Sequence, residues 1–306
     1  IISSHGSFLG INAKNQIYVY TFHGMAMKRM GYMEYDINLR YLKDLKKIKS
    51  KIDILVATST LTKMILASDF HLEANKIPVT GLARCDGLFY QNRKKEFEEM
   101  LDIKLNNYDK IVFFLPTFRE GYEHRIEGSV ISDNVFRFTK FNWDEFLKFL
   151  KLNNILFLCK FHPFEEEMIC QEKILHYNSH FFKLLKNHDL VLNFIDLYEI
   201  LGLGDLLITD YSSVYFDFLL LNRPIIFVPI DLKQYLQNRG IVLEPYDFWT
   251  PGPKVKNQKE LQKQMLKSLN HPEYYSRERK IINNIINYYQ NNRSCERVWN
   301  VIKKHL

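Results

Sequence analysis

Five short apolar runs in this chain end in residues able to move a proton or hold an anion. IYVYTF (17–22) leads into His23-Gly24-Met25-Ala26-Met27-Lys28, and KIVFFL (110–115) into Pro116-Thr117-Phe118-Arg119. ILFLCK (155–160) leads into Phe161-His162-Pro163, DLLIT (205–209) into Asp210-Tyr211-Ser212-Ser213, and PIIFVP (224–229) into Ile230-Asp231. His23, with a glycine behind it, has the exposure and backbone room of a general base. His162 is held extended by the proline that follows, and can donate to a phosphate oxygen. Asp210 to Ser213 stand where a strand turns into a helix. Ser212 or Ser213 would cap that helix, and its free N–H groups and positive dipole end can hold a phosphate. Lys28, Arg119 and Arg239 are candidate phosphate partners, the arginines with a bidentate fork. Each has a structural alternative: a capped helix needs no ligand, a strand-end histidine can be satisfied by its neighbours, and a cation can be solvated.

The elements that must position these residues alternate. Further β-branched or aromatic runs lie at 53–57, 77–80 and 189–194, and segments with helical spacing at 143–152, 197–203 and 214–221. Near-continuous apolar strands separated by helices predict a parallel sheet covered on both faces, an α/β, doubly wound architecture. Ligands of such sheets bind beyond the carboxyl ends of the strands, so five runs delivering polar residues to one edge predict an active site there. The polar stretch 88–108 predicts a helix and connector between two units. After Pro251-Gly252-Pro253 the chain reads as helical, with Leu261, Met265 and Leu269 on one face and a long segment from Tyr274 to Leu306. The expected organisation is an N-terminal Rossmann-like unit at 1–105, truncated or reduced, a second Rossmann-like unit at 106–275 and C-terminal helices at 276–306. The opening IISSHG carries no initiator Met and no basic-then-apolar leader, and reads as starting in mid-strand.

Composition narrows the partners. Over 306 residues, 46% hydrophobic and 25% charged side chains exclude a disordered or fibrous chain. Of the net charge of +7, five units fall in residues 1–105, where 16 Lys and Arg face 11 Asp and Glu. That imbalance suits a phosphorylated substrate, an acidic membrane surface or a nucleic acid. No nucleic-acid motif accompanies it, because the aromatic residues are spread through the chain. The basic run RYLKDLKKIKSK (40–51) can touch an anionic membrane or a polyanionic acceptor. Cys85, Cys159, Cys170 and Cys295 form no CxxC pair, which argues against a disulfide framework or zinc ribbon and favours a reducing compartment. The longest apolar runs, such as 111–116, fall far short of the roughly 18 residues of a membrane span. There is no P-loop, no GxGxxG after the first strand, and no GxSxG, HExxH or Asp-x-Asp motif. His176 and His180 would share a helix face, without a third ligand nearby, so no metal is expected.

The combination of motifs resembles the CDP-glycerol glycerophosphotransferase family, whose members polymerise teichoic acids and related capsule polymers. TFHGMAMKRMGY (21–32) is similar to the family's HGTPxKxxG, TGLARCDGL (80–88) to TGxPRxDxL, LPTFRE (115–120) to APTWR and KFHP (160–163) to RxHP. LITDYSSVYFDFLLLNRPIIFVPIDLKQY (207–235), followed by Arg239-Gly240 and Pro251-Gly252-Pro253, matches its most diagnostic block. The resemblance implies a two-domain glycosyltransferase-B fold with the nucleotide held mainly by the C-terminal unit. It implies that an acceptor hydroxyl attacks the β-phosphate of CDP-glycerol and that CMP leaves, without a metal. It further implies His23 as general base, His162 on the donor pyrophosphate, and Asp210, Ser212 and Ser213 on the donor diphosphate or glycerol. Asp217 falls at the family's second aspartate of that block, Arg119 and Arg239 join the donor site, and Lys28 touches acceptor or phosphate. The acceptor would be an anionic polyol-phosphate or saccharide, lipid-linked at the cytoplasmic face of the bacterial membrane, with the enzyme peripheral there. Met25-Ala26, Ala83, Phe118 and Lys160 depart from the family pattern and leave CDP-ribitol or another CDP-linked polyol open. Two other readings stand beside it: a glycosyltransferase of the same fold using a nucleotide sugar, and a nucleotide- or polymer-binding module without catalysis. Full-length relatives carry more chain before the His-Gly motif, which implies an incomplete N-terminal unit.

Overall fold

The computed structural model describes residues 1–4, 16–25, 27–90, 92–119, 134–163, 165–166 and 175–306; Ala26, Glu120 and Cys170, named above, lie outside them. Among the described residues, eight short strands form two parallel sheets. β1 (Ile2–Ser3), β2 (Val19–Tyr20) and β3 (Ile54–Leu55) make the first, in the order β1-β2-β3. β4 (Lys110–Phe114), β5 (Ile155–Cys159), β6 (Phe182–Leu184), β7 (Leu206–Thr209) and β8 (Ile225–Phe227) make the second, in the order β6-β5-β4-β7-β8. The register sets Val112 opposite Phe157 on one side and Leu206 on the other.

Both faces of the second sheet are covered, which is why its strands read as unbroken apolar runs. Val112, Phe114, Phe157, Ile208 and Ile226 pack under Phe136, Trp143, Phe146, Leu261 and Met265. The alternate residues Phe113, Leu156, Leu158, Leu207 and Ile225 face a second cluster with Leu201, Tyr215 and Phe216, which continues into Val19, Tyr20 and Leu55 of the first sheet. One core therefore joins the two sheets. The helix predicted at 143–152 is present as Trp143–Leu152. The Asn142 side chain accepts from the Glu145 N–H, and acidic Asp144 and Glu145 lie at the positive end of the dipole.

Two expected strands differ. The run at 77–80 makes a single bridge, Val79 beside Ala57, because Pro78 has no N–H to extend a ladder. The run at 189–194 is instead a helix, Asn187–Leu192, and the edge strand is Phe182–Leu184. Short apolar runs do not distinguish helix from strand by periodicity. Burial decides it here: Phe182 and Leu184 are buried, whereas Val191, Leu192 and Phe194 are exposed. The Glu166 carboxylate, 21 residues earlier in the chain, accepts from the Asn187 N–H at 3.0 Å and so satisfies the start of that helix.

The C-terminal chain returns to the first sheet. Asn287 Nδ2 donates to Phe216 O at 2.8 Å, and the next residue, Tyr288, donates its N–H to Thr58 O at 2.9 Å. The final helix, Ser294–Lys303, starts on Asp86, whose carboxylate accepts the N–H groups of Ser294 at 2.9 Å and Cys295 at 2.8 Å. Among the described residues no helix is long and apolar enough to cross a membrane. Removing a two-bond buried cap leaves helix N–H groups without acceptors, so Asp86→Ala is expected to lower the unfolding free energy by about 1–3 kcal/mol. A urea titration that returned the wild-type midpoint would show that the final helix does not rely on Asp86.

Candidate active site

Strand order in the second sheet reverses at β4, which has β5 on one side and β7 on the other. Such a reversal opens a crevice beyond the carboxyl ends of the strands. The loops after β4, β5 and β7 line a cleft of about 630 Å³ there, and the loop after β2 closes it from the first sheet. Phe22 adopts a left-handed backbone, φ 55°, and turns the chain beyond β2. Its own ring is buried edge-on against Tyr20 and Phe70 while His23 stays exposed at the cleft. Gly24 has φ +137°, and a Cβ there would lie 2.6 Å from Ser213 Oγ and 3.0 Å from Arg84 Nη2. Only glycine lets the backbone beside His23 approach the opposite wall so closely. On that wall His162 is exposed, and its ring stacks on Phe118 at 5.1 Å.

The expected site residues fall into two groups. His23, Lys28, His162, Ser212, Ser213 and Arg239 all line the cleft. Lys28 and Arg239 are brought there by a stitch between the halves of the chain: Lys28 bridges Ile241, Val242 N–H donates to Met27 O at 2.8 Å, and Arg239 Nη1 pairs with Glu34 at 3.3 Å. The expected serine cap is not formed. The helix after β7, Val214–Phe218, is little more than one turn, and Ser213 makes no capping bond.

Arg119, Asp210 and Asp217, expected on the donor, are not among the described residues that line the cleft. Arg119 lies beneath the floor, only 4% exposed, with its Nε 2.9 Å from one Asp231 oxygen and Nη2 2.7 Å from Asp210. Its guanidinium also covers the Tyr211 ring at 4.7 Å. Burial alone would lower its pKa, but Asp210 and Asp231 more than offset that and hold it above the ordinary arginine value. Asp210 is spent on the Thr117 N–H, 2.8 Å away, and on Arg119. Asp231, delivered by the fifth run, is likewise buried. Asp217 accepts from Arg84 at 2.7 Å and from the Tyr198 hydroxyl at 2.6 Å. These carboxylates shape the loops from within.

Arg84, Lys160 and Tyr198 also line the cleft, and were not among the expected contacts. Arg84 stands at the arginine of the TGxPRxDxL pattern and Lys160 at that of RxHP, so the motifs marked both positions, but only the fold shows that these side chains reach the cleft. Burial pulls the Lys160 pKa below the usual lysine value, against the partial support of Glu166 and Asp196. No carboxylate stands among the described lining residues, which include four cations (Lys28, Arg84, Lys160, Arg239) and two histidines. His176 lies in a 3-10 turn, Leu175–Tyr177, and His180 beyond it, and among the described residues no three His, Cys, Asp or Glu side chains gather for a metal.

Two nucleotide-type parallel sheets facing each other across a cationic cleft define a transferase fold of the glycosyltransferase-B type. The family model for CDP-glycerol:poly(glycerophosphate) glycerophosphotransferase matches residues 2–304, and the chain belongs to that family. It is similar to a teichoic acid glycerol-phosphate primase of Bacillus subtilis (strain 168), 31% identical over 201 residues, 66% of this chain and 46% of that protein. It is also similar to a teichoic acid poly(glycerol phosphate) polymerase of Bacillus spizizenii, 30% identical over 79% of this chain and 59% of that protein. A teichoic acid poly(ribitol-phosphate) polymerase of the same organism is 28% identical over 79% of this chain and 36% of that protein. The chain thus spans about half the length of the first two. The fold is that of the wall teichoic acid polymerase TagF, with a TM-score of 0.75 at 22% identity, covering 96% of this chain and 70% of that one.

Two predictions concern the charges around the cleft. Arg119→Met leaves Asp210 and Asp231 buried without their cation and is expected to cost about 3–5 kcal/mol of stability, read by chemical denaturation. Asp69 is buried near Glu34 and Arg239. Burial first, and then the Glu34 charge, push its carboxyl up to about 8, with Arg239 offsetting part. An acid whose pKa rises on folding holds its proton more tightly in the native state, so stability falls as pH climbs from about 4 to about 8. Asp69→Asn should flatten that fall, gaining on the wild type by a few kcal/mol between pH 5 and pH 8. Parallel melting curves of the two proteins across this range would disprove it.

Proposed function

We propose that this chain carries the catalytic cleft of a CDP-polyol phosphotransferase, which passes glycerol phosphate from CDP-glycerol to a hydroxyl of a growing teichoic acid-type polymer. The observation that carries this reading is a cleft lined by four cations and two histidines, with no carboxylate among its described residues. Such a lining suits a doubly anionic pyrophosphate. The four cations among its described residues can neutralise the pyrophosphate charge themselves. In the proposed reaction the acceptor oxygen attacks the β-phosphorus as its proton passes to His23. The bond from that phosphorus to the bridging oxygen breaks, and the electron pair leaves with CMP. His162, Lys28 and Arg239 stabilise the charge on the phosphoryl oxygens and the leaving group, and Ser212 and Ser213 donate to them. Arg119, Asp210 and Asp217 act from beneath, by fixing the loops.

Relatives named for glycerol phosphate and for ribitol phosphate both resemble the chain, so CDP-ribitol is the second donor to assay. The helix Leu39–Lys51 exposes Arg40, Lys43, Lys46 and Lys47, with Leu45 buried beneath them. That basic face fits an anionic acceptor, lipid-linked, at the inner surface of the bacterial membrane, where the enzyme would work as a peripheral protein.

The test is CMP release from CDP-glycerol with a short glycerol-phosphate acceptor, wild type beside His23→Ala. Release should require acceptor and fall by roughly 10²–10⁴-fold in the variant, the usual contribution of a positioned base. Release of a nucleoside diphosphate from a nucleotide sugar, with no turnover of either CDP-polyol, would make the chain a glycosyltransferase instead.

A further inference from the structure

Arg84 belongs to the first half of the chain, in the 3-10 turn Ala83–Phe89, yet its guanidinium is anchored on the second half. Nη2 donates to Asp217 Oδ2 at 2.7 Å, the guanidinium lies over the Tyr198 ring at 4.7 Å, and the Tyr198 hydroxyl donates to the same Asp217 oxygen at 2.6 Å. Both anchors are buried, while 26% of the Arg84 side chain remains exposed, in the wall of the cleft. Nη2 alone has a protein acceptor among the described residues, and Nε is buried without one, so the hydrogens of Nη1 and the second hydrogen of Nη2 are what the fold does not consume. An arginine serving only as a strut between the halves would bury its whole head. This one is held at one corner and keeps donors for something else.

The surroundings say what that is. A Cβ on Gly24 would lie 3.0 Å from Arg84 Nη2 and 2.6 Å from Ser213 Oγ. The guanidinium, the backbone beside His23 and the Ser213 hydroxyl therefore converge within about the width of one phosphoryl group. Ser213 follows β7, whereas His162 and Lys160 follow β5, across β4. An anion spanning the crevice thus meets two separate groups of donors, one on each side of β4. The side next to His23 is the side where a hydroxyl losing its proton to that base would attack.

We infer that Arg84 binds the transferred phosphoryl group, the donor's second phosphate, with Asp217 and Tyr198 as positioning residues that fix its guanidinium. This rests on the donor reading above and deepens it: beyond a base and Lys28, the first half of the chain supplies a second cation to the pyrophosphate site. Arginine is suited to the task because a planar fork can hold Asp217 with one edge and a phosphoryl oxygen with another, which a lysine cannot do.

The consequence is selectivity for the second phosphate. Equilibrium binding of CMP, CDP and CDP-glycerol is compared for wild type, Arg84→Ala and Arg84→Lys. Loss of a charge-assisted phosphate contact should weaken CDP and CDP-glycerol by about ten- to a hundred-fold and CMP by less than about threefold. Arg84→Lys should recover part of the loss. Because Arg84→Ala strips Asp217 of its cation, Arg84→Ala with Asp217→Asn is measured beside it, and the same pattern is expected from the folded double variant. Equal losses for CMP and CDP, or no loss for CDP, would overturn the assignment of Arg84 alone. Failure of the wild type to bind CDP or CDP-glycerol would instead overturn the donor reading.

Discussion

The floor of the cleft depends on one buried cation. Arg119 follows β4, Asp210 follows β7 and Asp231 follows β8, and the guanidinium holds both carboxylates at 2.7–2.9 Å in a place closed to water. Loops leaving neighbouring parallel strands have no ladder to keep them together once the strands end. Here the ion cluster takes over where the backbone hydrogen bonds stop, and Tyr211 adds its hydroxyl to Asp231 at 3.0 Å. The arrangement carries a desolvation cost that an apolar plug would avoid. What it secures is direction: a planar fork fixes the angle of each loop, and through them the places of Thr117, Phe118, Ser212 and Ser213 on the cleft side.

This also explains how far the sequence was legible. The parallel α/β fold, the helix at 143–152 and the edge at which the cleft opens follow from apolar runs and the residues behind them. Which of those residues would face a ligand does not follow. An arginine or aspartate after a strand looks the same whether it meets a phosphate or another side chain, and the partners of Arg119 are fixed only by the fold; Asp231 lies 112 residues away. Arg119, Asp210 and Asp217 were therefore expected in the cleft and lie beneath it. Arg84 was overlooked for the converse reason, because nothing in TGLARCDGL reveals that Asp217 and Tyr198 will turn its head toward His23. The exchange of strand for helix at 189–194 has the same root, since Glu166 supplies the helix start from another part of the chain.

The two halves contribute different kinds of surface. The second sheet offers rigid loops braced from below. The first offers a backbone that comes close, through Gly24, and side chains that reach across, Arg84 to Asp217 and Glu34 to Arg239. Each half thus completes charge pairs begun by the other, and the cationic character of the cleft belongs to their junction.

The return of the C-terminal chain has a mechanical meaning. The polypeptide passes between the halves once on its way to β4 and again at Asn287-Tyr288, where consecutive residues bond to Phe216 and to Thr58. Two bodies joined at one point can swivel freely. Joined at two, they keep only rotation about the line through both joints. With the shared core and the Lys28 to Ile241 bridge as further joints, even that rotation is opposed, and any widening of the cleft must strain several of these ties at once.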